Sequence, residues 1–173
     1  MGRMLVVAAW LTGVASGLIL AVYAPRSWTC ETGIVDNIAV SAQTGKILLE
    51  RVEPGGGRGV ELWDSRGVQP EQRFQVAERN TYESMFSIAL SPDGKTILTG
   101  SEDGTVRFWD VETGRALHVL TAHTSWVTKV AFSPDGKTAL SGSADGTAKI
   151  WDVQNGTLLH TLDGHADRVV SIA

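Results

Sequence analysis

Ser91-Pro92-Asp93-Gly94-Lys95-Thr96 returns 42 residues later as Ser133-Pro134-Asp135-Gly136-Lys137-Thr138. Trp109-Asp110 returns at the same interval as Trp151-Asp152, and Gly100-Ser101-Glu102-Asp103-Gly104-Thr105 matches Gly142-Ser143-Ala144-Asp145-Gly146-Thr147. Self-similarity at a fixed period of this size marks a repeat architecture. A degenerate earlier copy runs from Thr44-Gly45-Lys46-Ile47-Leu48-Leu49 to Trp63-Asp64, stretched by Glu53-Pro54-Gly55-Gly56-Gly57. The Gly55–Gly59 cluster reads as a hairpin loop, because no Lys-Ser/Thr follows it to cradle phosphate.

Each unit reads as four short antiparallel strands. Trp126–Phe132, Thr138–Ser143 and Thr147–Trp151 are alternating or β-rich runs, separated by Asp-Gly pairs. Asp-Gly is a strong hairpin signal, because tight turns need positive φ and glycine adopts it without steric cost. Thr113-Gly114 and Asn155-Gly156 supply the next turn, and Leu117–Leu120 and Leu158–Leu162 the fourth strand. After Pro25 there is no convincing helical period. The expected class is therefore all-β.

A unit of this length with four strands and a Trp-Asp close resembles the WD-repeat (WD40) β-propeller family, from about Ile34 onward and most strongly from Met85. The resemblance implies about three blades in an incomplete ring. Its divisions are a degenerate repeat over 28–80, repeats over 81–120 and 121–162, and the start of a further repeat over 163–173. The family's blade is held by a hydrogen-bonded tetrad of His, Ser or Thr, Asp and Trp. Residue by residue this falls on His123, Ser143, Asp145 and Trp151, and in the preceding repeat on Ser101, Asp103 and Trp109, with Thr81 where the His would stand. The degenerate copy keeps Trp63 and has Gly57 at the Asp position.

Members of the family engage proteins across the face around the central channel. The resemblance places Trp126, Thr128 and Ala144 there, with Ser84, Phe86 and Glu102 one repeat earlier and Arg168 and Val170 one repeat later. Trp and Arg are typical interface anchors. Packing between blades is the competing fate of Trp126 and Phe86.

His123, Ser143 and Asp145 are also the residue types of a hydrolytic triad. An active site is usually built once, whereas Ser101 and Asp103 recur, and no G-x-S-x-G nucleophile elbow is present. No catalytic residue is assigned. The pairs His118/His123 and His160/His165 lie one period apart, so the repeat explains them without a metal, and no zinc, haem or calcium pattern occurs. No cofactor is expected. The formal net charge of −4 over 173 residues argues against a nucleic-acid partner, which needs concentrated Lys and Arg. Cys30 is the single cysteine and cannot form an intramolecular disulfide.

Residues 1–27 differ from the rest. Met4 to Ala24 carries no charged residue and is bracketed by Arg3 and Arg26. That length suits one transmembrane helix, with Tyr23 at the interface and Pro25 ending it. A cleaved signal ending at Val22-Tyr23-Ala24 is the alternative, but Pro25 and the long apolar run favour an uncleaved anchor. Ala9, Gly13, Gly17 and Ala21 form a small-residue stripe that needs no partner. The expected protein is single-pass, with its repeats on the extracytoplasmic side. Its expected role is a non-catalytic protein-interaction scaffold. Two alternatives stay open: a truncated or accessory repeat region of a larger, even enzymatic, protein, and a ring completed by self-association. Propellers close with about 4–8 blades, and an open stack leaves strand edges exposed.

Overall fold

The computed structural model describes residues 34–41, 43–52, 58–64, 71–75 and 85–172. The anchor assigned to residues 4–24 lies outside them. Among the described residues no helix is long and apolar enough to cross a membrane. They form twelve strands in three four-stranded antiparallel sheets. The first holds β1 (Ile34–Val40), β2 (Lys46–Val52), β3 (Arg58–Asp64) and β4 (Gln72–Gln75). The second holds β5 (Met85–Leu90), β6 (Thr96–Ser101), β7 (Thr105–Asp110) and β8 (Ala116–Thr121). The third holds β9 (Val127–Phe132), β10 (Thr138–Ser143), β11 (Ala148–Asp152) and β12 (Leu158–Leu162). Each sheet is a plain meander, so each repeat builds one blade. Trp126 precedes its strand rather than opening it.

The recurring turns explain why the strands stop where they do. The Ser133 hydroxyl donates to Asp135 Oδ1 at 2.6 Å and accepts from the Thr138 amide at 3.0 Å, while Lys137 N–H reaches Asp135 Oδ1 at 3.1 Å. Ser91, Asp93, Lys95 and Thr96 repeat that arrangement. Such local bonds offer the backbone a turn in place of further ladder.

The inner strands β1, β5 and β9 lie side by side, and the core sits between successive sheets. Leu48, Val60 and Leu62 of the first sheet meet Ile88, Leu90, Ile97 and Val111 of the second. Leu98, Val106 and Phe108 of the second meet Val127, Val130, Ala139 and Trp151 of the third. Apolar burial between blades, rather than within one, is what a repeat needs to be stable. Close approach is made possible by glycine. A Cβ at Gly100 would fall 2.6 Å from Val127 Cγ1 and 3.1 Å from Val130 Cγ1. Residues 163–172 repeat that contact without forming a strand: Val169 and Ile172 sit 2.8 and 3.1 Å from the corresponding point on Gly142.

Candidate functional site

Strand register decides which side chains of the third sheet can meet. Trp151 lies opposite Ala139, and Ser141 opposite Lys149, so the indole reaches one diagonal step along β10 to Ser141. Trp151 Nε1–H donates to Ser141 Oγ at 2.9 Å. On the other side Ser141 Oγ lies 2.8 Å from His123 Nε2, and His123 Nδ1 lies 3.0 Å from Asp145 Oδ2. These partners assign the tautomer: Nδ1 carries the proton toward the carboxylate, and Nε2 accepts from the serine. Asp145 also accepts from the Thr124 amide at 3.0 Å, the Thr147 amide at 2.9 Å and the Thr147 hydroxyl at 2.7 Å. Trp151, Ser141, His123 and Asp145 thus form one satisfied chain.

The sequence expectation named Ser143 as the hydroxyl of this chain, and the structure corrects it to Ser141. The two point to the same face because side chains alternate with a period of two. Ser143 sits at the β10–β11 turn, where its Oγ accepts the Asp145 amide at 3.0 Å and donates to the Ser125 carbonyl at 3.3 Å. It supports the turn and lies a further step from the indole. The same correction holds one repeat earlier: Trp109 Nε1–H donates to Thr99 Oγ1 at 3.1 Å, and Ser101 instead accepts the Asp103 amide. Asp103 pairs with Arg107 at 2.7 Å and with Thr105, while Thr81 lies outside the described residues. In the first sheet Leu49 occupies the Thr99 position, and Trp63 Nε1–H donates to Glu61 Oε2 at 3.1 Å. Gly57 lies outside the described residues.

The order Asp145–His123–Ser141 is that of a charge-assisted triad, so its chemistry has to be weighed. Ser141 is fully buried, and its oxygen already accepts the Trp151 indole. A nucleophile needs a substrate carbon within reach and an oxyanion site beside it. Here the space at the hydroxyl is filled by a ring. The arrangement stabilises the blade, since each polar group buried without a partner costs about 1–3 kcal/mol. Among the described residues no group of three His, Cys, Asp or Glu gathers as a metal site. His118 instead meets the Gln154 carbonyl at 3.2 Å, tying the second sheet to the third.

Burial lowers the His123 pKa below its ordinary 6.5, and the Asp145 carboxylate opposes that only in part. Burial pushes the Asp145 carboxyl up, but the Thr147 hydroxyl and amide, the Thr124 amide and His123 outweigh it and hold the group well below 3.8. Both shifts have the same consequence for stability. The unfolded chain takes up a proton on His123 before the folded one does, so that contribution is whole above pH 6.5 and is lost as the pH falls below it. The Asp145 contribution is whole above pH 3.8 and is lost as the pH falls through its depressed value. Thermal melts are therefore expected to be flat above neutrality and to fall in midpoint between pH 7 and 5. His123→Gln removes the upper part of that fall. A midpoint that stays constant from neutrality to pH 5 contradicts this reading of His123.

The expected partner face is divided by the structure. Trp126 is 46% exposed, although Val127 beside it is completely buried. Its carbonyl accepts the Ala144 amide at 2.9 Å, and the Val169 amide donates to the Ser143 carbonyl at 2.9 Å. These bonds bring Trp126, Ala144 and the Arg168–Val170 segment to one rim. Arg168 and Val170 are exposed there, and Glu102 is half-buried at the corresponding corner of the second sheet. Thr128 is the exception and is corrected: its hydroxyl donates to the Gly142 carbonyl at 3.0 Å and to the Val169 carbonyl. That side chain clamps the contact between β9, β10 and residues 163–172 and is not available as a partner contact. Ser84 and the side chain of Phe86 lie outside the described residues.

Comparison with known proteins follows the repeat. Residues 77–110 and 114–152 match the family model described as WD domain, G-beta repeat. Over 44 residues, 25% of this chain and 3% of the relative, the chain is 48% identical to an uncharacterized WD repeat-containing protein of Nostoc sp.. Over 109 residues it is 28% identical to a guanine nucleotide-binding protein subunit beta of Nicotiana tabacum, covering 63% and 28% of the two chains. Over 63 residues it is 46% identical to the probable serine/threonine-protein kinase PkwA of Thermomonospora curvata, covering 36% and 8%. The chain spans 28% or less of the length of each of these relatives.

Proposed function

We propose that the WD repeats carried by residues 77–152 hold another protein at the rim formed by Trp126, Ala144, Arg168 and Val170, without catalysing a reaction. One observation carries this reading: a tryptophan 46% exposed beside a fully buried neighbour, next to an exposed arginine. Trp and Arg dominate the few interface positions that supply most of the binding energy. The buried network behind the rim supports a non-catalytic role, because its serine meets an indole instead of open space. A net charge of −4 favours a protein partner over a nucleic acid. We further propose that residues 4–24 tether these repeats to a membrane with the repeats on its extracytoplasmic side. Their uncharged stretch, long enough for one crossing, supports that.

A second reading has its own support. The kinase-named relative from Thermomonospora curvata is much longer than the matched segment, and in this reading the repeats are the accessory part of a larger protein. Partner capture at the rim is common to both readings.

The test replaces Trp126 with Ala in the full chain and follows cross-linked protein recovered from washed membranes alongside the melting temperature. Capture at the rim is expected to fall by about thirtyfold, the loss of roughly 2 kcal/mol typical of an anchor. Stability is expected to fall by about 1–2 kcal/mol, the share of the indole that the blade covers. A fall in melting temperature without selective loss of capture assigns Trp126 to packing and ends the proposal. Repeats released from membranes by an alkaline wash end the tether.

A further inference from the structure

Asn155-Gly156 is the single Asn-Gly pair in the chain; Asn37 precedes an isoleucine and Asn80 a threonine. Glycine has no side chain to shield its own amide nitrogen, so that nitrogen can attack the carboxamide of a preceding asparagine. The Asp-Gly pairs share the glycine but present a carboxylate, which repels the attacking nitrogen and leaves poorly. Asn155 is exposed at the β11–β12 turn, and Gly156 beside it stands at φ +66°.

The same turn one repeat earlier shows what is different here. Thr113 and Gly114 hold the places of Asn155 and Gly156. The Asp110 carboxylate accepts the Thr113 amide at 2.7 Å and its hydroxyl at 2.6 Å, so that side chain is tied down. Asp152 accepts the Asn155 amide at 2.8 Å, but among the described residues nothing is hydrogen-bonded to the Asn155 side chain. Its carboxamide can turn toward Gly156. The nucleophile is restrained instead. Gly156 N–H donates to the Asp152 carbonyl at 2.9 Å. The His118 imidazole of the second sheet lies over the glycine, where a Cβ would fall 2.7 Å from His118 Cγ. That ring is set edge-on against Phe108, with centroids 5.9 Å apart, and its Nε2–H donates to the Gln154 carbonyl at 3.2 Å. The neighbouring sheet thus clamps the residues on both sides of Asn155.

We propose that Asn155 is a site of spontaneous deamidation to isoaspartate and that the His118 clamp sets its rate. The Gly156 nitrogen leaves the Asp152 carbonyl, gives up its proton to hydroxide and bonds to Asn155 Cγ. The Cγ–Nδ2 bond breaks and the nitrogen departs as ammonia, taking a proton from water and leaving a succinimide ring. A water molecule then opens the ring. Cleavage between Gly156 N and Cγ gives aspartate; cleavage between Gly156 N and the main-chain carbonyl carbon of residue 155 gives isoaspartate. No electrons are gained or lost, and water is the sole co-reactant. The isoaspartate link lengthens the backbone by one carbon and sets a carboxylate beside Asp152. Residues 154 and 156 then no longer fit His118 together, so conversion unfastens this contact between the second and third sheets.

The test ages the full chain in detergent at mildly alkaline pH, beside the urea-unfolded chain and the variants His118→Ala, His160→Ala and Asn155→Thr. Conversion is read as the amide-to-acid mass gain of the tryptic peptide 150–168, in which Asn155 is the sole asparagine, and isoaspartate by fragmentation of that peptide. His160 holds the equivalent place on β12 and is exposed, so its replacement controls for loss of a histidine. The unfolded chain is expected to convert fastest, and wild type and His160→Ala slowest. His118→Ala is expected to convert roughly fivefold faster than wild type, the gain in local opening when one hydrogen bond is lost. Should His118→Ala melt near the ageing temperature, His118→Phe, which keeps the ring and loses the donor, replaces it. Aged wild type is expected to melt below the fresh protein, and Asn155→Thr to keep its midpoint. Three results overturn the proposal: a folded wild type that converts as fast as the unfolded chain, a His118 variant that converts no faster than wild type, or converted wild type that melts like the fresh protein.

Discussion

Gly104→Val is expected to cost about 3 kcal/mol or more, a drop of at least ~6 °C in melting temperature. Gly104 stands at φ +80°, where a β-branched residue is strained whatever the space around it. There is also no space. A Cβ would fall 2.5 Å from the His123 carbonyl oxygen and 3.2 Å from that of Ser125, both backbone atoms. The Gly104 carbonyl accepts the His123 amide at 3.0 Å and the Ala122 amide at 3.3 Å, so this glycine is the shelf on which His123 is delivered to the third sheet. Pushing the shelf away also loosens the His123 chain to Ser141 and Asp145. The same change at Gly146 is expected to cost less. Its Cβ meets the His165 carbonyl at 2.9 Å, but residues 163–168 are exposed and can shift. Chemical denaturation of both variants measures the difference, and equal losses contradict the role given to the 122–125 segment.

That pair shows what was legible in the sequence. Gly104 and Gly146 stand out in the repeat as turn glycines, and the Asp-Gly, Thr-Gly and Asn-Gly pairs mark the β1–β2 hairpin and every hairpin of the second and third sheets. Local chemistry dominates at those points, so local reading succeeds. The order of strands within each sheet follows because short turns leave a meander as the simple solution. The packing role of Gly100 and Gly142 is a different matter. Both lie inside strands, and only the approach of Val127 or Val169 from the next unit shows why no side chain fits.

The candidate site was readable by residue type and misread by two positions. His123, Asp145 and Trp151 are where the repeat places them. Choosing between Ser141 and Ser143 requires the β10–β11 register, since both hydroxyls lie on one face of one strand. A signal was available: Thr99 and Ser141 recur at the 42-residue interval just as Ser101 and Ser143 do, and they lie one diagonal step from their tryptophans. Glu61 carried no such signal. It takes over the indole of Trp63 because Leu49 offers no hydroxyl, and it is held from the other side by Arg73 at 3.2 Å. Thr128 misled for a related reason: its position suits an exposed contact, but a hydroxyl next to the Gly142 and Val169 carbonyls bonds to them.

The second large effect is expected at Ser141. Replacing it with Ala strips the acceptor from the Trp151 indole and the partner from His123 Nε2, both inside the blade. Two buried groups left without partners cost roughly 2–6 kcal/mol together. Ser143→Ala removes only turn contacts to the Asp145 amide and the Ser125 carbonyl. Its cost is expected to be near 1 kcal/mol, the usual value of one hydrogen bond. Comparing the unfolding free energies of these two variants at neutral pH tests most directly the claim that the apparent triad is a blade-holding network centred on Ser141. The account predicts that Ser141→Ala is destabilised at least about twice as much as Ser143→Ala. A larger loss at Ser143, or a Ser141→Ala protein that unfolds like wild type, contradicts it.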